Sequence, residues 1–193
     1  MEKKLITPPS GQSIYLDDVK LHLRLTDDTT DDPLVMALIE RARLYCEKHT
    51  GRAFGTQTWE AYLNYWPGRN YIDLPMPPLQ SVTSVKYVDS AGTETTMTED
   101  TDYLVDTDSD TGRIVLPYGK SWPSFVAYPI NPIRIRFVAG YEDLPEPLQQ
   151  AMLLLIGNWY ENREKAADMI GGKMERVHFG ANALMAQYKV RWF

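Results

Sequence analysis

The chain has one cysteine, three histidines and no long apolar run among its 193 residues, and each scarcity removes a class of protein. A lone Cys46 cannot form an internal disulfide, and it reads as a small buried hydrophobe. His22, His49 and His178 are scattered and fall into no zinc-ligand spacing. The longest apolar run, Ala151 to Ile156, is far too short to span a bilayer. The opening MEKKLITPPSG has lysines but neither an apolar stretch nor a small-residue cleavage pattern, so the expectation is a cytoplasmic protein without a secretory signal. No GxSxG elbow and no glycine-rich phosphate loop occurs. A basic face that would grip nucleic acid is also missing: net charge is −6, and residues 56–142 carry 11 acids against 6 bases.

What is present is a globular composition, 44% hydrophobic and 11% aromatic, too rich for disorder. Two helical ends enclose a strand-rich middle. Leu16 to Leu25 has acids in its first turn and apolar Leu16, Val19 and Leu23, which suits a short helix. Asp32 followed by Pro33 signals an N-cap and N1 proline, and the helix should run to a stop at Gly51 with Val35, Leu38, Ile39, Ala42 and Cys46 on its apolar face. From Thr56 to Tyr141 short β-type runs are broken by Pro, Gly and Asp, which predicts an antiparallel meander. In IRIRFV, Ile133, Ile135 and Phe137 alternate with two arginines, so one face packs and one is wet. The loop DSAG predicts a hairpin turn.

Helical periodicity returns in PEPLQQAMLLLIGNWYENRE, with Leu148, Met152, Leu155 and Trp159 on one stripe. The consecutive apolar residues from Ala151 to Ile156 exceed what one buried side needs, so this helix is either central to the core or also covered by another subunit. MIGGKMERVHFG reads as a flexible loop around Gly171 and Gly172, followed by a short helix ANALMAQY. The fold class is thus α+β, a small helical bundle of N- and C-terminal parts with an inserted antiparallel β-meander.

Two acidic motifs invite a metal. DTDSDTG, Asp106 to Gly112, spaces three aspartates as an EF-hand loop does, but position six is Thr111, position twelve is Pro117, and both flanks look like strands. It reads as a hairpin turn. Asp27, Asp28, Asp31 and Asp32 sit in one short loop, whereas two-metal centres draw carboxylates from several elements, so they read as a solvated loop capping the second helix. Tyr65, Trp66, Tyr71, Tyr118, Trp122, Phe125 and Tyr128 fall in Pro-rich connections. A sugar-stacking surface, a protein interface and packing against the carrying loops all remain open for them. At the C-terminus, Lys173, Arg176, Lys189 and Arg191 face Glu175 alone, and the last residues are Trp192 and Phe193. They read as an anchor for another protein or as a tail packed on its own core.

The segments YLDDVKLHLRL, DDPLVMALIERARLYCEKHTGRAF, LPMPPLQSVTSVKYVDSAGT, DYLVDTDSDTGRI, IRFVAGY, PEPLQQAMLLLIGNWYENRE and FGANALMAQYKV, taken in order, resemble the head–tail connector (adaptor) proteins of tailed phages, in the form that carries a β-rich insertion. Only the extension RWF departs from the pattern. The resemblance implies a structural virion protein rather than an enzyme, with no catalytic, cofactor-binding or metal residues, assembled in the bacterial host cytoplasm. It implies a ring of copies, commonly twelvefold, docked on the portal protein and followed by tail or stopper proteins. Double-stranded DNA passes through without specific binding, and no membrane is involved. Residues 1–55 and 143–193 are the expected ring-forming body and 56–142 the insertion. The implied portal contacts are Tyr188, Lys189, Val190, Arg191, Trp192 and Phe193. The implied subunit interface is Met152, Leu153, Leu154, Leu155, Ile156 and Trp159. A tail-completion protein and a carbohydrate-binding module using the Trp/Tyr-rich loops are the alternatives.

Overall fold

The computed structural model describes residues 1–11, 13–25, 29–162 and 173–190. The chain divides into two compact units, one of Met1–Ser10 with Gly55–Tyr141 and one of Gly11–Phe54 with the residues from Glu142 onward.

The first unit is built from eight strands: β1 (Glu2–Ser10), β2 (Thr56–Leu63), β3 (Tyr71–Asp73), β4 (Leu79–Val88), β5 (Glu94–Met97), β6 (Leu104–Asp106), β7 (Arg113–Val115) and β8 (Ile133–Ala139). They form a five-stranded sheet in the order β1-β2-β8-β4-β5 and a three-stranded sheet in the order β3-β7-β6, with every pairing antiparallel. The alternation read in IRIRFV is realised at the centre of the larger sheet, where Ile133, Ile135 and Phe137 are fully buried and both arginines face the polar side. Ala61, Ile135 and Val85 lie in one cross-strand row, and Ile72 and Ile114 of the smaller sheet join the same core. Each fully buried Ile or Phe contributes about 2 kcal/mol through loss of apolar surface to water.

Both hairpins read in the sequence form, through aspartate side chains. Asp89 Oδ1 accepts from the amides of Ala91 and Thr93, both at 2.9 Å, and closes the β4–β5 turn. Asp106 Oδ1 accepts from Asp108 and Ser109, both at 3.1 Å, while its Oδ2 accepts from Arg113 Nε at 2.8 Å, so a guanidinium stands at the carboxylate. DTDSDTG is therefore a turn between β6 and β7. Gly112 closes it at φ +69, and a Cβ there would stand 2.2 Å from Leu79 Cβ, so only glycine fits.

The expected boundary at residue 55 changes at the N-terminus. Residues 1–10 were assigned to the helical body, but they form β1 and pair along β2 from Glu2↔Tyr62 to Ser10↔Thr56. The strand left no periodic signal because it is a sheet edge: residues 1–8 are exposed throughout, so no alternation of apolar and polar residues is required of them.

The second unit contains α1 (Leu16–Leu23), α2 (Asp32–Thr50), α3 (Glu146–Glu161) and α4 (Lys173–Ala186). α1 stops short of Leu25 because Arg24 takes the left-handed conformation at φ 60. α2 ends at Gly51 as read, while its N-cap is Asp31 instead of Asp32. Asp32 instead pairs with Lys20 at 2.8 Å, which ties α1 to α2, and Asp31 accepts a hydrogen bond from the Tyr160 hydroxyl of α3. Val35, Leu38, Ala42 and Cys46 are buried as the periodicity required, and Ile39 is half-buried. Burial, followed by the charge of Glu47, pushes the Cys46 thiol up to about 12, which makes it inert near neutral pH. α4 is longer than the segment ANALMAQY: its backbone is helical from Lys173, so His178 lies in a helix, and Met169 to Gly172 fall outside the described residues.

Candidate interaction site

Local chemistry at the end of α2 fixes the C-terminal segment. Gly51 caps the helix at φ +76, its amide donating to Glu47 O at 2.8 Å. Beyond it the chain turns: Thr50 Oγ1 donates to Cys46 O at 2.8 Å and accepts from the Arg52 amide at 3.2 Å. A buried ion network braces the turn from below. Arg43 donates to Glu47 at 2.7 Å and to Glu40 through Nε at 2.9 Å, and the other Glu47 oxygen accepts from the Phe54 amide at 2.7 Å. The hydrogen bond from Arg43 holds the Glu40 carboxyl below its usual range.

The residues after α4 lie on this corner. Arg52 Nε donates to Tyr188 O at 2.6 Å, and the Val190 amide donates to Thr50 O at 2.8 Å. Val190 is buried, with its methyls beside Gly51, whereas Lys189 is exposed. Of the six residues expected to reach a portal, Tyr188, Lys189 and Val190 thus form a stem held at two points. Arg191, Trp192 and Phe193 lie outside the described residues.

The apolar run of α3 divides in two. Met152, Leu155 and Ile156 are fully buried within the chain's own helical unit, and Trp159 is 9% exposed. That accounts for most of the run without a second subunit: α3 packs against α1, α2 and α4 at once, so it needs more than one apolar face. Leu153 and Leu154 remain half-exposed. Sequence reasoning missed other accessible apolar side chains on this unit, namely Leu21, Met36, Leu44 and Phe179. Single exposed hydrophobes on a helix carry no periodic signature that separates them from a buried stripe.

Of the aromatic loop residues, Trp66 and Trp122 stack on each other at 4.8 Å with planes 6° apart, and Trp122 Nε1 donates to Arg69 O at 2.8 Å. Tyr87 packs on Phe125 at 4.8 Å, and these rings cover the β core. Tyr71 lies under the guanidinium of Arg69 at 4.4 Å. Packing against the carrying loops therefore accounts for Trp66, Tyr71, Trp122 and Phe125, while Tyr65, Tyr118 and Tyr128 project into solvent. Among the described residues no group of three or more His, Cys, Asp or Glu side chains converges as a metal site, and Asp27 and Asp28 lie outside those residues. No helix among the described residues is long and apolar enough to cross a membrane.

The whole fold is similar to chains of phage-like particles. A chain in the neck of an empty GTA particle, computed with C6 symmetry, aligns at 25% identity with a TM-score of 0.79, covering 100% of this chain and 98% of that one. Chains in the virion of a native gene transfer agent particle and in the neck of a native particle computed with C12 symmetry share the fold at 24% identity, each with a TM-score of 0.76 and the same coverage. No curated protein matches the sequence. The architecture and these likenesses define a structural protein of the phage head–tail region. The family model for head completion proteins matches residues 13–187, and the chain belongs to that family.

Proposed function

We propose that copies of this chain assemble as a ring, twelve in number, between the portal vertex of a filled head and the tail, and that DNA passes through its centre. The observation that carries the reading is the family match from 13 to 187 together with full-length likeness to a neck chain. Head-to-tail packing of one surface on another closes such a ring when the rotation closes. Leu153 and Leu154, with the exposed Leu21, Met36, Leu44 and Phe179, supply apolar surface for the neighbouring copy, while Met152, Leu155, Ile156 and Trp159 serve the core of each copy. A net charge of −6 suits a conduit, since an acidic or neutral lumen makes few phosphate contacts that would retard DNA.

The stem at Tyr188–Val190 belongs to the surface that meets the portal, with Lys189 as its exposed contact. The β unit supplies the contacts to tail and stopper proteins. The role is structural and uses no cofactor, and assembly takes place in the host cytoplasm. Native mass spectrometry of the portal ring mixed with excess protein tests the reading: a portal carrying additional copies in a symmetric number is expected. A bare portal together with binding to tail-tube subunits would assign the chain to tail completion instead.

A further inference from the structure

The α2 face beside the C-terminal stem carries a continuous row of cationic and aromatic side chains. Arg41, Tyr45, Lys48 and His49 recur at helical spacing and so share one side of α2. The Arg41 guanidinium lies 4.4 Å over the Trp159 ring, the Trp159 ring meets Tyr45 edge-on at 6.1 Å, and Tyr45 stacks on His49 at 6.3 Å with planes 13° apart. Beyond His49 stands Lys189: burial first, and the Lys189 charge second, hold the histidine below its ordinary pKa. Arg41, Lys48 and Lys189 are exposed, Tyr45 and His49 half-exposed. The acids of the same stretch do not neutralise the row, because Glu40 and Glu47 are both bound by Arg43. Trp159 is buried and holds Arg41 and Tyr45 from beneath, and of the accessible residues Tyr and Arg are types enriched at interface centres. The clamp of Arg52 on Tyr188 O and of Thr50 O on the Val190 amide keeps Lys189 at the end of the row.

We infer that the row Arg41–Tyr45–His49–Lys189, with Lys48 beside it and Trp159 buried beneath it, is a docking surface for an acidic segment of the portal protein. It adjoins the C-terminal stem, and its charge is positive in a chain that is acidic as a whole. The inference rests on the portal-docking reading and names the surface and the partner chemistry for it.

The test measures binding of the portal ring encoded alongside this chain to the full-length protein and to R41E, K189E and, as a control in the β7–β8 loop, K120E. The expected result is binding weakened about tenfold by R41E and by K189E, unchanged by K120E, and reduced for the wild type as salt rises. K189E and K120E should leave the melting temperature unchanged, whereas R41E should lower it slightly through loss of the contact with Trp159, while the protein stays folded. Wild-type affinity in both row variants would overturn the docking surface while leaving portal docking intact. Absence of wild-type binding would remove both. Salt-sensitive binding of duplex DNA, lost in R41E and K189E, would show that the row serves phosphate, and it would overturn the protein partner.

Discussion

Asp106 carries more of the β6–β7 hairpin than its half-buried position suggests, since it accepts from two amides and from Arg113. The Arg113 hydrogen bond, ahead of the two amides, holds its carboxyl below the usual aspartate range. A lowered carboxylate contributes stability that is complete above the unfolded pKa and is lost as pH falls through the folded one. D106A should cost about 1 kcal/mol in chemical denaturation near neutral pH. The wild type should lose some stability on acidification below about pH 4, and D106A should lack that step. Gly112→Ala is the harsher change: a methyl 2.2 Å from Leu79 Cβ at φ +69 leaves no room, and a loss of about 2 kcal/mol or more is expected from the same titration. Both residues were legible in the sequence as turn formers. The clash that makes Gly112 irreplaceable was not, because Leu79 lies far away in sequence.

At the scale of elements, legibility followed periodicity. α2 and α3 were readable because one buried stripe imposes a 3.6-residue repeat, and β8 because its two faces differ. β1 and β3 were not, one being an exposed edge and the other a three-residue strand without the adjoining turn motif that marks the equally short β6 and β7. The stem at residues 188–190 shows what this costs at the interaction site. Its attachment depends on Arg52 and Thr50, more than 130 residues earlier, and no local pattern marks that pairing. Two truncations separate stem from arm. Removing residues 191–193 should weaken portal binding. Removing residues 188–193 should also lower stability by about 2 kcal/mol, since Val190 is buried against Gly51. Equal portal affinity of both truncated forms and the full chain would exclude the C-terminus as the anchor. In the β unit, Trp66 and Trp122 stack on each other and also pack against the β core, so glycans should not quench tryptophan fluorescence. W122A should instead destabilise the loop that Trp122 pins to Arg69 O, read as faster hydrogen exchange there.

For the whole molecule, two compact units allow two tasks, and the proposal gives packing between copies to the helical unit and a different partner to the β unit. Fold class and family were legible because many weak patterns occur in one order, and family membership follows from the match over 13–187. The surfaces proposed here for a ring have no signature in the sequence, because contacts between copies need obey no periodicity within one chain. The most direct measurement is electron microscopy of the protein mixed with the portal ring of the same genome, beside each component alone. The account predicts an added layer of density sharing the portal's rotational symmetry, with a clear central channel. A portal that stays bare at high protein excess, under conditions where the protein is folded, would contradict it.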